Sequence, residues 1–272
     1  MLLVAQLTDI HLFGDRDAAL WGIKTEDSFQ AVLAEVTNLN PQPDLLILTG
    51  DLTQDGDEAA YMRLRDALRP LNIDTYCLAG NHDDLDLMPS ILQGDRIFAA
   101  NSSTNPNSRI QRGNWQFLFL NSVLIGEVDG LLSAQSLAWL EEQLQRYVEM
   151  PTLIAFHHPA LPVGCDWMDS IALRNQQEFW QICDRFPQIQ VAINGHAHQA
   201  FDLLHKTVHN QIRYYVTPST CIQFKPNTPK FQIDSRSPGF RLLSLFPNGN
   251  VETTVHRLAE SRFQPDLTVK GY

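Results

Sequence analysis

The strongest constraint on the fold is a short apolar run that stops abruptly at a carboxylate. The run Leu45-Leu46-Ile47-Leu48 continues through Thr49 and Gly50 to Asp51. A run without polar alternation predicts a strand covered on both faces. Asp51 would then emerge at the carboxyl end of the strand, where open α/β sheets bind ligands. A single Gly-Asp pair is more often a turn or a helix cap, so the prediction depends on repetition.

The same ending recurs along the chain. Strands predicted over residues 2–7, 45–49, 74–78, 152–156 and 189–193 are followed by Asp9-x-His11, Gly50-Asp51, Gly80-Asn81-His82-Asp83, His157 and Gly195-His196-x-His198. Convergence of these five ends at the same edge of one sheet would build a nitrogen and oxygen site for two transition metals. Each glycine lets the chain turn sharply. A period of two predicts that the paired side chains of D-x-H and H-x-H share one face of an extended segment.

Helices are predicted between these strands. They cover residues 25–39, capped by Thr25 or Asp27, then 58–68, a short segment near 87–93, a segment capped by Ser133, and 176–186. In the Ser133 helix, Leu137, Leu140, Leu144 and Tyr147 form one apolar stripe, which we interpret as core. A further strand is predicted over 115–120, and Asn101 to Ser108 has the composition of a polar loop.

From about residue 201 the pattern changes to β-hairpins. Residues 201–204 are predicted to pair with 213–217, and residues 241–246 with 251–256 across Pro247-Asn248-Gly249-Asn250. Helix-alternating strands followed by antiparallel strands predict an α/β (α+β) fold, with one mixed sheet or two packed sheets in a single domain over residues 1–272.

Composition excludes several classes of function. The 272 residues carry a net charge of −11 and have no run rich in lysine or arginine, which argues against long nucleic acids, a nuclease activity and anionic membranes. The amino terminus has no apolar stretch long enough for a signal peptide or a span, so we expect a cytoplasmic protein. Four well-separated cysteines indicate buried reduced thiols rather than disulfides or a zinc site.

The complete set of strand ends resembles the calcineurin-like metallophosphoesterases. Their pattern D-x-H, G-D, G-N-H-D/E, H and G-H-x-H is matched in order over residues 9–198. The segments 218–226 (PSTCIQFKP) and 238–241 (PGFR) are similar to the carboxyl-terminal part of the class III cyclic-nucleotide phosphodiesterases. The resemblance implies a four-layer αββα sandwich of two mixed β-sheets flanked by helices, and it makes a homodimer an expectation.

The resemblance also implies a ligand set for two metal ions, which would be iron, manganese or zinc. One ion would be held by Asp9, His11, Asp51 and His198, and the other by Asp51, Asn81, His157 and His196. Asp51 would be shared, buried and ionised, with one oxygen towards each metal. Two divalent ions bring +4 and the two aspartates −2, so a net +2 would attract a phosphodiester monoanion to an acidic protein.

The expected reaction is hydrolysis of 3′,5′-cyclic AMP to 5′-AMP by a hydroxide that bridges the two metals. His82 would donate a hydrogen bond to the phosphoryl oxygen or protonate the leaving oxygen, and Asp83 would orient His82 or nearby loop amides. The assignment of the reaction class depends on the residues, whereas the choice of cyclic AMP as the substrate depends on the resemblance. Glycerophosphodiesters, 2′,3′-cyclic nucleotides and nucleotide pyrophosphates stay open as substrates, and a non-catalytic scaffold is the alternative from another class.

Several residues near the motifs have simpler interpretations. His158 is expected to donate a hydrogen bond that supports a metal ligand, rather than to bind a metal itself, because consecutive strand residues point to opposite faces. We interpret His205, His209 and His256 as surface histidines. Gln54, Asp55 and Asp57 fit helix capping as well as substrate contact. The segment around Cys221 fits either a pocket wall or a turn.

Overall fold

Two β-sheets pack face to face, and helices cover both outer faces, in the computed structural model of the chain, which describes residues 1–94, 96–259 and 262–268. The strands are β1 Leu2–Leu7, β2 Ala19–Leu20, β3 Ile23–Lys24, β4 Leu45–Thr49, β5 Asp74–Leu78, β6 Ile97–Ala99, β7 Asn107–Arg112, β8 Trp115–Leu120, β9 Thr152–Ala155, β10 Ile189–Asn194, β11 Phe201–Lys206, β12 Gln211–Val216, β13 Gln223–Phe224, β14 Ile233–Asp234, β15 Gly239–Leu245 and β16 Val251–Arg257. The helices are α1 Thr25–Thr37, α2 Glu58–Leu68, α3 Leu87–Ile91, α4 Ala134–Arg146, α5 Asp166–Asp169 and α6 Gln176–Cys183.

Both large sheets are mixed, as the four-layer prediction requires. The first has the order β16-β15-β1-β4-β5-β6, with β15 and β16 antiparallel and the other neighbours parallel. The second has the order β11-β12-β10-β9-β8-β7, with antiparallel strands at both edges. The two predicted hairpins are therefore present, and they add strands to different sheets.

The burial of single strands explains why the layers form. In β4, Leu46 and Leu48 belong to the cluster beneath α1, α2 and α3, while Leu45 and Ile47 face the second sheet. A strand with apolar side chains on both faces is stable only when both faces are covered. At the interface between the sheets, the rings of Tyr76 and Phe119 stack with centroids 5.4 Å apart.

Several boundaries differ from the sequence predictions. Helix α1 begins at Thr25 after Lys24, so neither Thr25 nor Asp27 is its cap. The predicted loop 101–108 ends earlier, because Asn107 begins β7. This edge strand has a polar sequence without the apolar pattern that predicts a strand. Tyr147 is the residue that ends α4 and is only partly buried, with the Arg109 guanidinium 3.5 Å from its ring centroid. The last residues of the predicted domain, 269–272, lie outside the described residues.

Two buried polar side chains join the sheets below the strand ends. Gln6 Nε2 donates to Thr49 Oγ1 in its own sheet and to the Asn194 carbonyl in the other, at 3.0 and 3.1 Å. The guanidinium of Arg241, from β15, is fully buried and donates to the carbonyls of Phe201 and Val216 in the second sheet. The hydrogen bonds from these side chains to the second sheet form only if the sheets keep this relative position.

We expect Arg241→Met to lower the free energy of unfolding by about 2–4 kcal/mol, because it leaves buried carbonyls without a donor. Asp202→Ala removes the other half of the 2.7 Å ion pair, but the Asp202 side chain is 62% exposed, so its loss should cost at most about 1 kcal/mol. Urea unfolding of both variants measures the difference. Equal costs would show that Arg241 acts through the ion pair rather than through the carbonyls.

Candidate metal centre

Six of the seven predicted ligands cluster at one end of the molecule, and Asn81 follows Gly80, which packs against the Asp51 carboxylate. All seven are contributed by loops that follow strands. The first sheet supplies four and the second supplies three, in the order Asp9, His11, Asp51, Asn81 and then His157, His196, His198. The prediction of a single sheet edge is therefore wrong. The strand ends of two packed sheets meet, because parallel strands of both sheets end on the same side.

The backbone of the ligands is unusual. Among the described residues, seven non-glycine residues have a positive φ, and five of them are predicted ligands: Asp9 (51°), His11 (52°), Asp51 (49°), His196 (66°) and His198 (47°). Left-handed backbone costs a non-glycine residue roughly 1–3 kcal/mol and is concentrated at functional sites. The prediction that D-x-H and H-x-H are extended is thus wrong, since left-handed residues turn the chain on either side of the intervening residue.

Two glycines make room for the carboxylate at the centre. Gly50, which precedes Asp51, has a φ of +97°, a conformation that favours glycine. At Gly80 the limit is space, because a Cβ there would collide with the Asp51 carboxylate and backbone. The glycines in both motifs therefore let the β4 and β5 loops approach each other closely.

The first group of ligands consists of His11, His198 and Asp9. His11 Nδ1 donates to Gln54 Oε1 at 2.8 Å, and His198 Nδ1 donates to the Ile222 carbonyl at 2.9 Å. Burial lowers the pKa of His11 to about 4 and holds the pKa of His198 well below its usual value, so both rings are neutral. Their Nε2 lone pairs then face each other at 3.1 Å, and His198 Nε2 lies 3.4 Å from Asp9 Oδ1.

Facing lone pairs repel each other unless a cation lies between them. Two ligands that are each about 2.1 Å from one ion lie roughly 3.0–3.4 Å apart in octahedral or tetrahedral geometry. The distances in the first group match this separation. These residues therefore fit a metal ion.

The second group of predicted ligands contains His157 and His196, and Asn81 follows Gly80, which lies against the His157 ring. His157 Nδ1 donates to the Thr49 carbonyl at 2.8 Å, and its Nε2 lies 3.2 Å from His196 Nδ1. The side-chain oxygen of Asn81 is buried and makes no hydrogen bond among the described residues. A buried amide oxygen without a donor is costly in a protein alone, so it fits a metal ligand.

Asp51 joins the two groups. Its Oδ2 lies 3.2 Å from His157 Nε2 and 3.7 Å from His11 Nε2, while Oδ1 accepts a hydrogen bond from the His82 backbone N–H at 3.0 Å. One oxygen therefore approaches both groups, which differs from the expectation of one oxygen towards each metal. Although burial opposes ionisation, the neighbouring imidazoles of His157 and His82 hold the pKa of Asp51 well below its usual range.

The surroundings of Asp9 contain too little positive charge to keep its buried carboxyl group ionised in the protein alone. Both of its oxygens accept from the His196 backbone N–H, at 3.0 and 3.1 Å. Even so, burial outweighs the attraction of His157 and raises the pKa of Asp9 to about 8, with a further contribution from the Asp51 carboxylate. A buried carboxylate with this environment is stabilised by a cation.

His82 and Asp83 lie beside the ligands in different roles. His82 Nδ1 donates to the Gln54 carbonyl at 2.8 Å, which leaves Nε2 as the nitrogen available to a substrate. The Asp83 carboxylate accepts from the backbone N–H groups of Leu52, Thr53 and Gly80 and from the Tyr61 hydroxyl. Of the two tasks expected of Asp83, the contacts support the orientation of loop amides.

Comparison with known proteins identifies the family to which the chain belongs. The family model described as calcineurin-like phosphoesterase matches residues 2–200. The chain belongs to the calcineurin-like phosphoesterase family. It is 41% identical to a 3′,5′-cyclic adenosine monophosphate phosphodiesterase of Vibrio vulnificus, over 98% of this chain and 94% of the relative. It is 40% identical to the protein of the same name from Escherichia coli K12, over 99% and 94%.

Solved structures show the same fold at low sequence identity. A dimetal phosphatase from Danio rerio aligns with a TM-score of 0.65 and 14% identity, over 90% of this chain and 93% of that chain. A purple acid phosphatase from yellow lupin aligns with a TM-score of 0.68 and 12% identity, over 97% of this chain and 52% of that chain. The metallophosphoesterase fold predicted from the motifs is thus confirmed.

Other residues in this calcineurin-like phosphoesterase have structural roles that sequence patterns only partly indicate. Gln54 anchors two histidines, His11 through its side chain and His82 through its carbonyl. Of the roles left open for Asp57, the structure shows helix capping, at α2. Cys221 is buried, with its backbone N–H donating to Ser219 Oγ, so it belongs to a turn. The sequence patterns do not indicate Phe224 as a site residue, although its ring stacks on His198 with centroids 4.1 Å apart.

The other histidines are not all alike. His205, which the sequence suggests is an ordinary surface residue, stacks on Trp180 with centroids 3.9 Å apart and contacts Asp184 at 2.7 Å. It is therefore part of the packing between β11 and α6. His209 is exposed as expected, and His256 is partly buried and stacks on Phe240.

We expect Asp51→Asn to reduce bound metal from two equivalents to one or none, because it removes the charge that both groups share. The amide keeps the shape of the side chain, so the fold should persist. Inductively coupled plasma mass spectrometry after reconstitution with manganese measures the number of bound metal ions. The control is Asp66→Asn, at an exposed residue of α2. Two equivalents in Asp51→Asn would contradict the shared position.

Proposed function

We propose that this chain hydrolyses 3′,5′-cyclic AMP to 5′-AMP. The observation that carries the proposal is that six of the seven predicted ligands cluster closely enough to hold metal ions, in a chain at least 40% identical, over nearly its full length, to proteins named as cyclic AMP phosphodiesterases. A relative in Nostoc, 41% identical over 98% of this chain and 96% of its own, is named as a 3′,5′-cyclic-nucleotide phosphodiesterase.

Asp9, His11, Asp51 and His198 would hold one metal ion, and Asp51, Asn81, His157 and His196 the other. When bound, two such ions would supply Lewis acidity and a water of lowered pKa for in-line attack on phosphorus. Imidazole and carboxylate ligands together fit iron, manganese or zinc. Backbone carbonyls that accept from Nδ1 hold His157 and His198 in the tautomer that leaves Nε2 available to a metal.

His82 would act on the leaving oxygen. Its Nδ1 is fixed by the Gln54 carbonyl, so Nε2 is presented on the substrate side of the Asn81 loop. The imidazolium form of His82, protonated on both nitrogens, would give its Nε2 proton to the oxygen released when the P–O bond breaks and would return to the neutral Nδ1–H form. Asp83 would act indirectly, since it holds the loop amides that position Asn81 and His82.

We expect purified, manganese-loaded protein to hydrolyse cyclic AMP faster than glycerophosphocholine, a 2′,3′-cyclic nucleotide or a dinucleoside pyrophosphate. Values of kcat/KM for the four substrates measure this preference. Turnover of cyclic AMP far below any of the others would contradict the proposed substrate. No hydrolysis of any diester, together with fewer than two bound metals, would favour a scaffold.

His82→Ala should keep both metals and lower kcat for cyclic AMP by roughly 10²- to 10⁴-fold, the usual contribution of general acid catalysis. The loss should be far smaller with bis(p-nitrophenyl) phosphate, because p-nitrophenolate leaves without a proton. His209→Ala, at an exposed histidine, is the matched control. Equal losses on both substrates would contradict the acid role.

A cytoplasmic location, a homodimer and a single domain over residues 1–272 stay predictions. None of the helices in the described part of the chain has the length and apolar character needed to span a membrane.

A further inference from the structure

A cavity of about 390 Å³ opens beside the metal centre. Its lining includes Asn81 and His82, from the loop that follows β5, together with Val123, Ile125 and Gly126. The volume lies within the range of roughly 300–1,000 Å³ typical of small-molecule sites. None of the metal-binding residues except Asn81 lines it, so the cavity is an extension of the site rather than the site itself.

We propose that this cavity binds the nucleoside of the substrate, with the base against Ile125 and Val123. The proposal rests on the proposed function, because it assumes that His82 faces the leaving oxygen. The atoms attached to that oxygen must then lie on the His82 side of the metals. His82 itself lines the cavity, together with residues of the surrounding loops.

The wall of the cavity provides an apolar surface for a base. Ile125 is 82% exposed, Val123 is partly buried against the core, and Leu85 lies below them. Exposed apolar side chains next to a reactive centre indicate a binding surface. The flat face of a base would cover Ile125 and remove it from water.

Charge favours an uncharged group over a second phosphate. Asp55, Asp84 and Asp86 also line the cavity. Their carboxylates repel an additional phosphate and accept hydrogen bonds from the N–H groups of a base. A quaternary ammonium such as choline would tolerate the charge, but it is usually held by aromatic rings, and the described lining has no Phe, Tyr or Trp.

His158 holds this wall in place. Its Nε2 donates to the Val128 carbonyl at 3.1 Å, and its Nδ1 accepts from the Ser122 hydroxyl at 2.8 Å. The segment between Ser122 and Val128 carries Ile125. Since His158 follows the predicted ligand His157, the wall is fixed relative to the metal centre before substrate binds.

The test compares Ile125→Ser with Val208→Ser, an equally exposed apolar residue in the turn between β11 and β12. Methyl p-nitrophenyl phosphate serves as a substrate without a nucleoside, and adenosine as a competitor of its hydrolysis. We expect Ile125→Ser to raise KM for cyclic AMP and Ki for adenosine by roughly five- to twentyfold, the loss of part of one buried isoleucine. Its kcat/KM for methyl p-nitrophenyl phosphate should fall by less than its kcat/KM for cyclic AMP, because the p-nitrophenyl group on the leaving oxygen is smaller than a nucleoside and covers less of Ile125. Every value for Val208→Ser should stay within about twofold of wild type.

An unchanged Ki for adenosine in Ile125→Ser, an equal loss on both substrates, or competition by choline instead of adenosine would each overturn the proposal. Failure of the proposed function looks different. Wild-type protein would then turn over the small diester but not cyclic AMP, while the Ki for adenosine would still report on the cavity.

Discussion

The structure depends on one carboxylate oxygen, Asp51 Oδ2, which lies between the imidazoles of His11 and His157. His11 follows a strand of the first sheet and His157 a strand of the second, so this contact exists only where the two sheets meet. Burial alone would make an ionised Asp51 unfavourable, and the surrounding imidazoles reverse that effect. Two bound cations would continue the same compensation, which is why burial, ligand geometry and proposed chemistry belong together.

The rest of the fold keeps the two sheets in the position that this contact needs. Gln6 and Arg241 are buried donors that bond to carbonyls of the opposite sheet, so sliding the sheets would break these hydrogen bonds. Above them, left-handed backbone at five predicted ligands stores strain that the packed strands must balance. The loops of the centre are therefore held in place by the sandwich, while Ile125, on a more exposed segment, is the residue proposed to contact the nucleoside.

Much of the fold could be predicted because its strands are local patterns. The strands at residues 45–49, 74–78 and 115–120 and the helix at 58–68 have the predicted bounds, since apolar runs there are bounded by glycine, proline or polar residues. The ligands could be proposed because five strand ends carry carboxylate, amide or imidazole side chains in an order that resembles a known family. Three features could not be predicted: β7 has a polar edge-strand sequence, the conformation of D-x-H is set by tertiary contacts, and periodicity does not tell which sheet a strand joins.

The most direct test of the central claim is anomalous diffraction from crystals of the metal-loaded protein. Two peaks about 3.5–4 Å apart, both within about 2.3 Å of Asp51 Oδ2, with Asn81 Oδ1 beside the peak on the His157 side, are the predicted result. A single peak, or a second peak bound by His158 in place of Asn81, would contradict the account.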